Sequence, residues 1–157
     1  MSWTLRRATA ADAPLLGEHR ANVWRDAGGH SDAEVVPQIP IWTAWFAAAL
    51  ANGTYLAWIA GDANGGTVGS GGMLLRDSLP RPGFPINREG RVHSVYVVPE
   101  QRRRRVGRAL MEEMIEYARA AALSQLVLHP SDDGRGLYAG LGFTQIDDMA
   151  LRFSPPP

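Results

Sequence analysis

Five arginines fall within seven consecutive positions in the second half of the chain. They are Arg102, Arg103, Arg104, Arg105 and Arg108. Apolar residues then recur at three- and four-residue spacing from Val106 to Ala121, which predicts a helix with one buried face. The arginines therefore lie at the amino-terminal end of this helix, where the macrodipole is already positive and each cation costs about 0.3–1 kcal/mol. A bound polyanion would offset that cost.

The start of this helix also has the features of a phosphate site. The first backbone N–H groups of any helix have no partner within it. Gly107 has no side chain to obstruct a ligand, and guanidinium groups pair well with phosphate oxygens. We therefore interpret the cluster as a binding site for a phosphate or pyrophosphate. The alternative is a solvated basic patch on a helix that tolerates it.

The remaining elements are predicted from periodicity and from turn residues. Residues 92–98 form a β-branched and aromatic run that ends at Pro99, which cannot donate to a sheet ladder. Similar patterns predict strands over 3–7, 54–60, 67–75, 125–129 and 148–153. Helices are predicted over about 9–25, 41–51 and 131–142, and loops over 27–32 and 76–91.

This order predicts one α+β domain over residues 1–157, with a mixed, mostly antiparallel twisted sheet flanked by helices. The apolar helix 41–51 is expected to be buried. Glycines within strand 67–75 predict a bulge or a group lying close to the backbone. Residues 153–157 are expected to form a frayed tail.

Composition limits the classes of function. Sixteen Lys and Arg residues balance sixteen Asp and Glu residues, so we expect neither a nucleic acid nor a membrane as partner. The absence of cysteine excludes a disulfide scaffold, a cysteine nucleophile and thiolate zinc sites. There is no apolar signal-peptide core and no run of about 20 apolar residues. We therefore expect a soluble, cytoplasmic protein that needs no metal.

The central residues resemble a known family. A strand, a basic turn that opens a helix, a second strand and a short helix ending in Leu137-Tyr-Ala-Gly-Leu-Gly-Phe143 are similar to the GNAT superfamily of acyl-CoA-dependent N-acetyltransferases. The family's pyrophosphate signature is Gln or Arg, two residues, Gly, one residue, then Gly or Ala. It falls on residues 102–107 here, with Arg105 in place of the first glycine. An arginine at that position can also contact phosphate through its side chain.

The resemblance implies acetyl-CoA as co-substrate and gives roles to particular residues. The backbone of the central strand would bind the acetyl and pantetheine groups, and the arginine turn would hold the pyrophosphate. Tyr138 matches the tyrosine that commonly protonates the departing thiolate. An asparagine that often touches the cofactor in the family maps to Ser131 or Asp132. The implied cofactor-binding residues are Val95, Tyr96, Val97, Arg102, Arg103, Arg104, Arg105, Val106, Gly107, Arg108, Ser131 and Asp132.

Direct acetyl transfer to an amine also requires a proton acceptor, because an alkyl amine with a pKa near 10.4 is mostly protonated at neutral pH. His93 is our candidate, since a period of two puts it on the same strand face as Val95 and Val97 and histidine titrates near neutrality. Glu89 and His129 are further candidates. A histidine that the strand simply accommodates is the alternative.

The acceptor is expected to be a primary amine of a small molecule or peptide. Two groups of residues are candidates for lining its pocket. The first is aromatic, and its alternative role is to pack in the core: Trp42, Trp45 and Trp58. The second is polar, and its alternative is to face solvent: His30, Asp32 and Glu34. The alternative function is a non-catalytic acyl-CoA-binding or regulatory module of the same fold. The resemblance also allows a homodimer.

Overall fold

The structure is a computed structural model and describes residues 3–157. One sheet of five strands has the same order in space as in sequence. The strands are β1 (Thr4–Arg7), β2 (Tyr55–Gly61), β3 (Thr67–Ser78), β4 (Asn87–Val97) and β5 (Leu126–Val127). Neighbours from β1 to β4 are antiparallel, and β5 is parallel to β4. The predicted α+β fold with a mixed, mostly antiparallel sheet is confirmed.

Helices cover both faces of this sheet. They are α1 (Ala13–Gly28), α2 (Asp32–Val35), α3 (Ile39–Asn52), α4 (Val106–Ala120) and α5 (Arg135–Gly140). On one face, α4 buries Leu110, Met111 and Met114 against Met73 of β3. On the other face, α1 and α3 pack against β2 around Phe46 and Tyr55. The sheet is therefore the middle of three layers.

Two predicted loops are shorter than expected. β3 and β4 continue as a paired hairpin through Ser78 and Asn87, so only residues 79–86 form the connection. The three prolines of this region, at positions 80, 82 and 85, all fall within that shorter connection, so they do not interrupt the ladder. The loop predicted over 27–32 is shorter because α1 continues to Gly28 and α2 begins at Asp32. Ser31 and Glu34 form a capping box at the start of α2.

The apolar helix α3 is less buried than its composition indicates. It ends as predicted, because Gly53 takes a left-handed conformation with φ +76°. Only one side of the helix packs on α1 and β2, however, and Ile41 and Trp45 remain 60% and 47% exposed. The prediction from apolar composition that this helix is buried is therefore correct for one side of the helix only.

The predicted strand over 148–153 is wrong. Residues 143–157 form no helix or strand, and Met149, Leu151 and Phe153 are exposed. The neighbouring strand, predicted over 125–129, pairs only at Leu126 and Val127. A two-residue strand offers too short a ladder for a further strand to pair with.

Candidate active site

The strand β4 and the edge strand β5 part about halfway along β4. They pair only at Gly90 with Leu126 and at Arg91 with Val127, while β4 continues to Val97. The starts of α4 and α5 lie beside the end of β4: a Cβ atom on Gly107 would be 3.6 Å from Leu137 Cδ2 and 3.7 Å from Val97 Cγ2. The open edge of β4 therefore lies next to the uncapped end of α4 and to the helix that carries Tyr138.

A β-bulge at Ser94 changes the faces of β4. His93 is opposite Gly72 and Tyr96 is opposite Ser70, so three steps on β4 match two on β3. Ser94 has φ +55°, which few non-glycine residues adopt. Because Gly72 and Ser70 lie two residues apart, His93 and Tyr96 share one face.

This bulge overturns the argument that a period of two places His93 on the face of Val95 and Val97. The side chain of Val95 packs in the core beside Met114 of α4. His93 lies on the opposite face, which α1 covers. The side chains of Val95 and Val97 thus belong to the core. Their backbone, apart from the Val97 carbonyl that accepts from Arg102 Nε, is the part available to a ligand.

The start of α4 is open to an anion. No side chain caps the helix, and its first turn holds no acidic residue. Beside it is an open groove of about 640 Å³. Its lining residues are Trp3, Arg103, Arg104, Arg105, Arg108, Ala109 and Glu112. Unpaired helix amides and guanidinium groups together match a phosphate or pyrophosphate ligand.

Arg105 adopts the backbone conformation for which the signature glycine is suited. It is the residue before α4 and has φ +66°, in the left-handed region. Arg103 is also left-handed, with φ +60°. The turn therefore keeps the path of a glycine-containing loop and adds a side chain to it, at the steric cost that any L-residue meets there.

Arg102 and Arg108 of the arginine turn form ion pairs within the protein. Arg102 donates through Nε to the Val97 carbonyl at 3.0 Å and forms an ion pair with Asp26 of α1. The hydrogen bond with Asp26 raises the pKa of Arg102. Arg108 pairs with Glu112 one turn along α4, at 2.8 Å. The side chain of Arg102 therefore ties β4 to α1.

Tyr138 lies on α5, with its ring against Phe143 at a centroid distance of 5.8 Å. Burial raises the pKa of its hydroxyl, which keeps it protonated at neutral pH. Ser131 Oγ accepts a hydrogen bond from the Gly134 amide at 3.2 Å, just before α5. Asp132 is fully exposed and lies 3.5 Å from Arg135.

The three candidate bases have different surroundings. His93 is half-buried, and burial, together with the charges of Arg20, Arg91 and Arg76, lowers its pKa to about 4. Glu89 is a buried residue of β4, where a loop residue was expected, and it binds Arg76 and Gln125. Burial opposes its ionisation, but these hydrogen bonds outweigh burial and lower the pKa of Glu89. His129 is exposed beyond β5.

Three residues of α1 that reach this region were not predicted from the sequence. His19 is buried, with Nδ1 2.7 Å from Ser70 Oγ, and burial lowers its pKa to about 4. Arg20 donates to Ser94 Oγ at 3.0 Å. Trp24 lies one turn further along. The four-residue spacing of Arg20 and Trp24 was the one available signal that they share a helix face.

An aromatic cavity of about 310 Å³ lies between α1, α2 and α3. Its lining residues are Trp24, His30, Glu34, Val35, Gln38 and Trp42. The two indole planes are within 9° of parallel, with centroids 6.5 Å apart. Thus Trp42, His30 and Glu34 come together here.

The other residues considered for an acceptor pocket lie elsewhere. Asp32 pairs with Arg25 at 2.7 Å. Trp45 packs on Phe46, and Trp58 packs on Tyr117 in the α4 core.

Across residues 3–157, no helix is long and apolar enough to cross a membrane. Within the same residues, no three His, Asp or Glu side chains gather in a way that could hold a metal ion.

Comparisons with known proteins identify the family of this chain. The family model described as the Acetyltransferase (GNAT) family matches residues 20–143. An L-methionine sulfoximine/L-methionine sulfone acetyltransferase from Pseudomonas paraeruginosa is 33% identical over 149 residues, which cover 91% of this chain and 81% of the relative.

Solved structures share the fold over almost the whole chain. A GCN5-related N-acetyltransferase from Ralstonia eutropha has a TM-score of 0.87 at 25% identity and covers 97% of this chain and 99% of its own. A predicted acetyltransferase from Clostridium acetobutylicum, solved with acetyl-CoA, has a TM-score of 0.85 at 22% identity and covers 97% and 96%. The matched family model spans the open strand edge, the arginine turn and Tyr138, so the chain belongs to the GNAT family and is an N-acetyltransferase.

Proposed function

We propose that this enzyme transfers the acetyl group of acetyl-CoA by direct attack of the primary amine of a small amino acid. The observation that carries the proposal is the meeting of the open β4 edge, the uncapped start of α4 and the helix of Tyr138. A diphosphate suits the first helix turn, and a pantetheine amide suits an unpaired strand edge.

Residues of this chain would hold acetyl-CoA in two regions. The backbone of residues 102–108 and the side chains of Arg103, Arg104 and Arg105 are suited to the phosphates. The backbone of Val95, Tyr96 and Val97 is suited to the pantetheine and acetyl groups, because β5 leaves this part of β4 unpaired. Ser131 and Asp132, both exposed just before α5, are the further candidates to contact the bound molecule.

Tyr138 is the proposed proton donor to the departing thiolate. Its hydroxyl is protonated at neutral pH, and a thiol with a pKa near 8.5 makes a thiolate that an un-ionised tyrosine can protonate.

His93 is proposed to orient the water that takes the proton of the amine, because an imidazole with so low a pKa is itself a weak base. With its pKa lowered to about 4, it is neutral throughout the physiological range and accepts a hydrogen bond from a water or an amine. The proposal is supported by the position of His93 on β4, next to the bulge at Ser94 and two residues before Val95.

The acceptor class is supported by the relative from Pseudomonas paraeruginosa, which is named for amino-acid analogues. The aromatic cavity between α1, α2 and α3 has a volume of about 310 Å³. A cavity of this volume suits the side chain of a small ligand better than a folded protein substrate. We therefore favour a free amino acid over a peptide as acceptor.

The test is release of free thiol from acetyl-CoA with a panel of acceptors: L-methionine sulfone, L-methionine sulfoximine, aliphatic amines and a peptide amino terminus. Turnover fastest with the first two supports the proposal. Stabilisation of the fold by acetyl-CoA without turnover of any acceptor would instead favour a non-catalytic acyl-CoA-binding module.

A further inference from the structure

Arg20 is a half-buried guanidinium with no acidic partner among residues 3–157. More exposed arginines, such as Arg6 and Arg102, are paired with carboxylates. Burial lowers the pKa of Arg20, against a smaller opposing effect of Tyr55. A cation withdrawn from water without a counter-ion destabilises the protein, unless a ligand supplies the negative charge.

The position of Arg20 is fixed from two sides. Its Nη1 donates to Ser94 Oγ at 3.0 Å, at the bulge where β4 has already left β5. Its Cζ lies 5.7 Å from the ring centroid of Trp24 and 5.3 Å from that of Trp42. The guanidinium therefore stands between the open strand edge and the aromatic cavity.

Most of the donors of Arg20 remain available. A guanidinium has five N–H groups in a planar fork, and Ser94 Oγ is the one hydrogen-bond acceptor that Arg20 has within residues 3–157. The fork matches a carboxylate, which can accept two parallel hydrogen bonds. The indole faces hold the guanidinium in place without neutralising its charge.

We propose that Arg20 binds the carboxylate of the acceptor and makes the enzyme selective for α-amino acids over simple amines. This inference rests on the acetyl transfer proposed above. In an α-amino acid, one carbon separates the amine from the carboxylate, so an anchor at Ser94 brings the amine to the strand edge assigned to the acetyl group. The side chain then enters the cavity beside Trp24 and Trp42. An amine that lacks a carboxylate meets an uncompensated cation.

The first experiment uses the wild-type enzyme and three matched acceptors. They are L-methionine sulfone, its primary carboxamide and the corresponding amine without the carboxyl group. We expect kcat/KM to be about 10- to 100-fold lower for the two acceptors without a carboxylate, as for the loss of a charge-assisted hydrogen-bonded pair. Equal values for all three would overturn the proposal and leave the acetyl transfer intact, whereas no turnover with any acceptor would overturn both.

The second experiment replaces Arg20. Arg20→Gln should raise KM for L-methionine sulfone about 10- to 100-fold with a smaller change in kcat, and should abolish the discrimination against the carboxamide. Arg20→Lys should keep part of the discrimination, because a lysine has the positive charge but not the planar, two-pronged donor geometry of a guanidinium. Arg119→Gln, which removes an exposed arginine of α4, is the control.

Thermal stabilisation by CoA checks that each variant folds and keeps its donor site. An Arg20→Gln enzyme that loses activity equally with all three acceptors, or that keeps wild-type discrimination, would contradict the proposal.

Discussion

The imidazole of His19 lies 2.7 Å from the hydroxyl of Ser70, in a buried contact that joins α1 to β3. Burial lowers the pKa of His19 to about 4, below the ordinary 6.5. Between these values the unfolded chain binds a proton that the folded protein does not. The contribution of neutral, buried His19 to the free energy of unfolding is therefore complete above pH 6.5, and it is lost progressively as the pH falls towards 4.

We predict that the free energy of unfolding falls between pH 7 and pH 5, by at most about 1.4 kcal/mol per pH unit for each such histidine. His93 contributes in the same direction. His19→Gln should be less stable at pH 7 but should show a shallower pH dependence, measured by urea unfolding. His129→Gln, at an exposed position, is the control for the loss of one imidazole. An unchanged slope in His19→Gln would mean that His19 is not buried in its neutral form.

Tyr138→Phe removes the proposed proton donor and keeps the ring that packs on Phe143. We expect kcat to fall about 100-fold or more, as for the loss of a general acid, with little change in the affinity for acetyl-CoA. Steady-state kinetics and a binding isotherm measure the two effects separately. A wild-type kcat would remove Tyr138 from the mechanism.

Arg105 is held at φ +66° and offers a test of how the arginine turn binds anions. Arg105→Gly removes a steric cost of about 1–2 kcal/mol and the side chain together, and should fold at least as well as wild type. Arg105→Val should be less stable by about 1–3 kcal/mol, because a β-branched residue fits that backbone conformation poorly.

The same pair of variants separates backbone from side-chain binding. If the helix amides hold the phosphates, CoA should bind Arg105→Gly within about tenfold of wild type, because one exposed guanidinium contributes little. A much larger loss in Arg105→Gly would assign the binding to the side chain.

Glu89→Gln distinguishes a structural carboxylate from a catalytic one. Glu89 is buried and hydrogen-bonded to Arg76 and Gln125, so the change should lower the free energy of unfolding by about 1–3 kcal/mol. We expect kcat at 25 °C to stay within a few-fold of wild type. A large loss of kcat in a stably folded variant would make Glu89 the better candidate for the base.

The residues with strong local signals were predicted well. The arginine cluster lies at a helix start, Pro99 follows the end of β4, and Gly53 ends α3, because each depends on a rule that acts within a few residues. Tyr138 could be singled out only through its motif, since an isolated tyrosine on a short helix has no distinctive pattern.

The errors at the site and in the sheet involve contacts between distant parts of the chain. The bulge at Ser94 inserts one residue and reverses the faces that a period of two assigns to His93. The glycines of β3 predicted an irregularity at this place, but they did not show that β4 carries the extra residue. The strand predicted over 148–153 fails because β5 is too short to pair with it. Arg20 and Trp24 were missed because their importance depends on Ser94 and Trp42, which the fold brings to them from distant parts of the chain.

The parting of β4 from β5 also bears on how the enzyme should be handled. A sheet left unfinished in this way carries exposed amide and carbonyl groups that another chain can pair with, which is a common first step in aggregation. A CoA ligand bound along that gap would cover these backbone groups and prevent another chain from pairing with them. Storing the purified enzyme with excess CoA should therefore delay precipitation, beyond any gain in melting temperature.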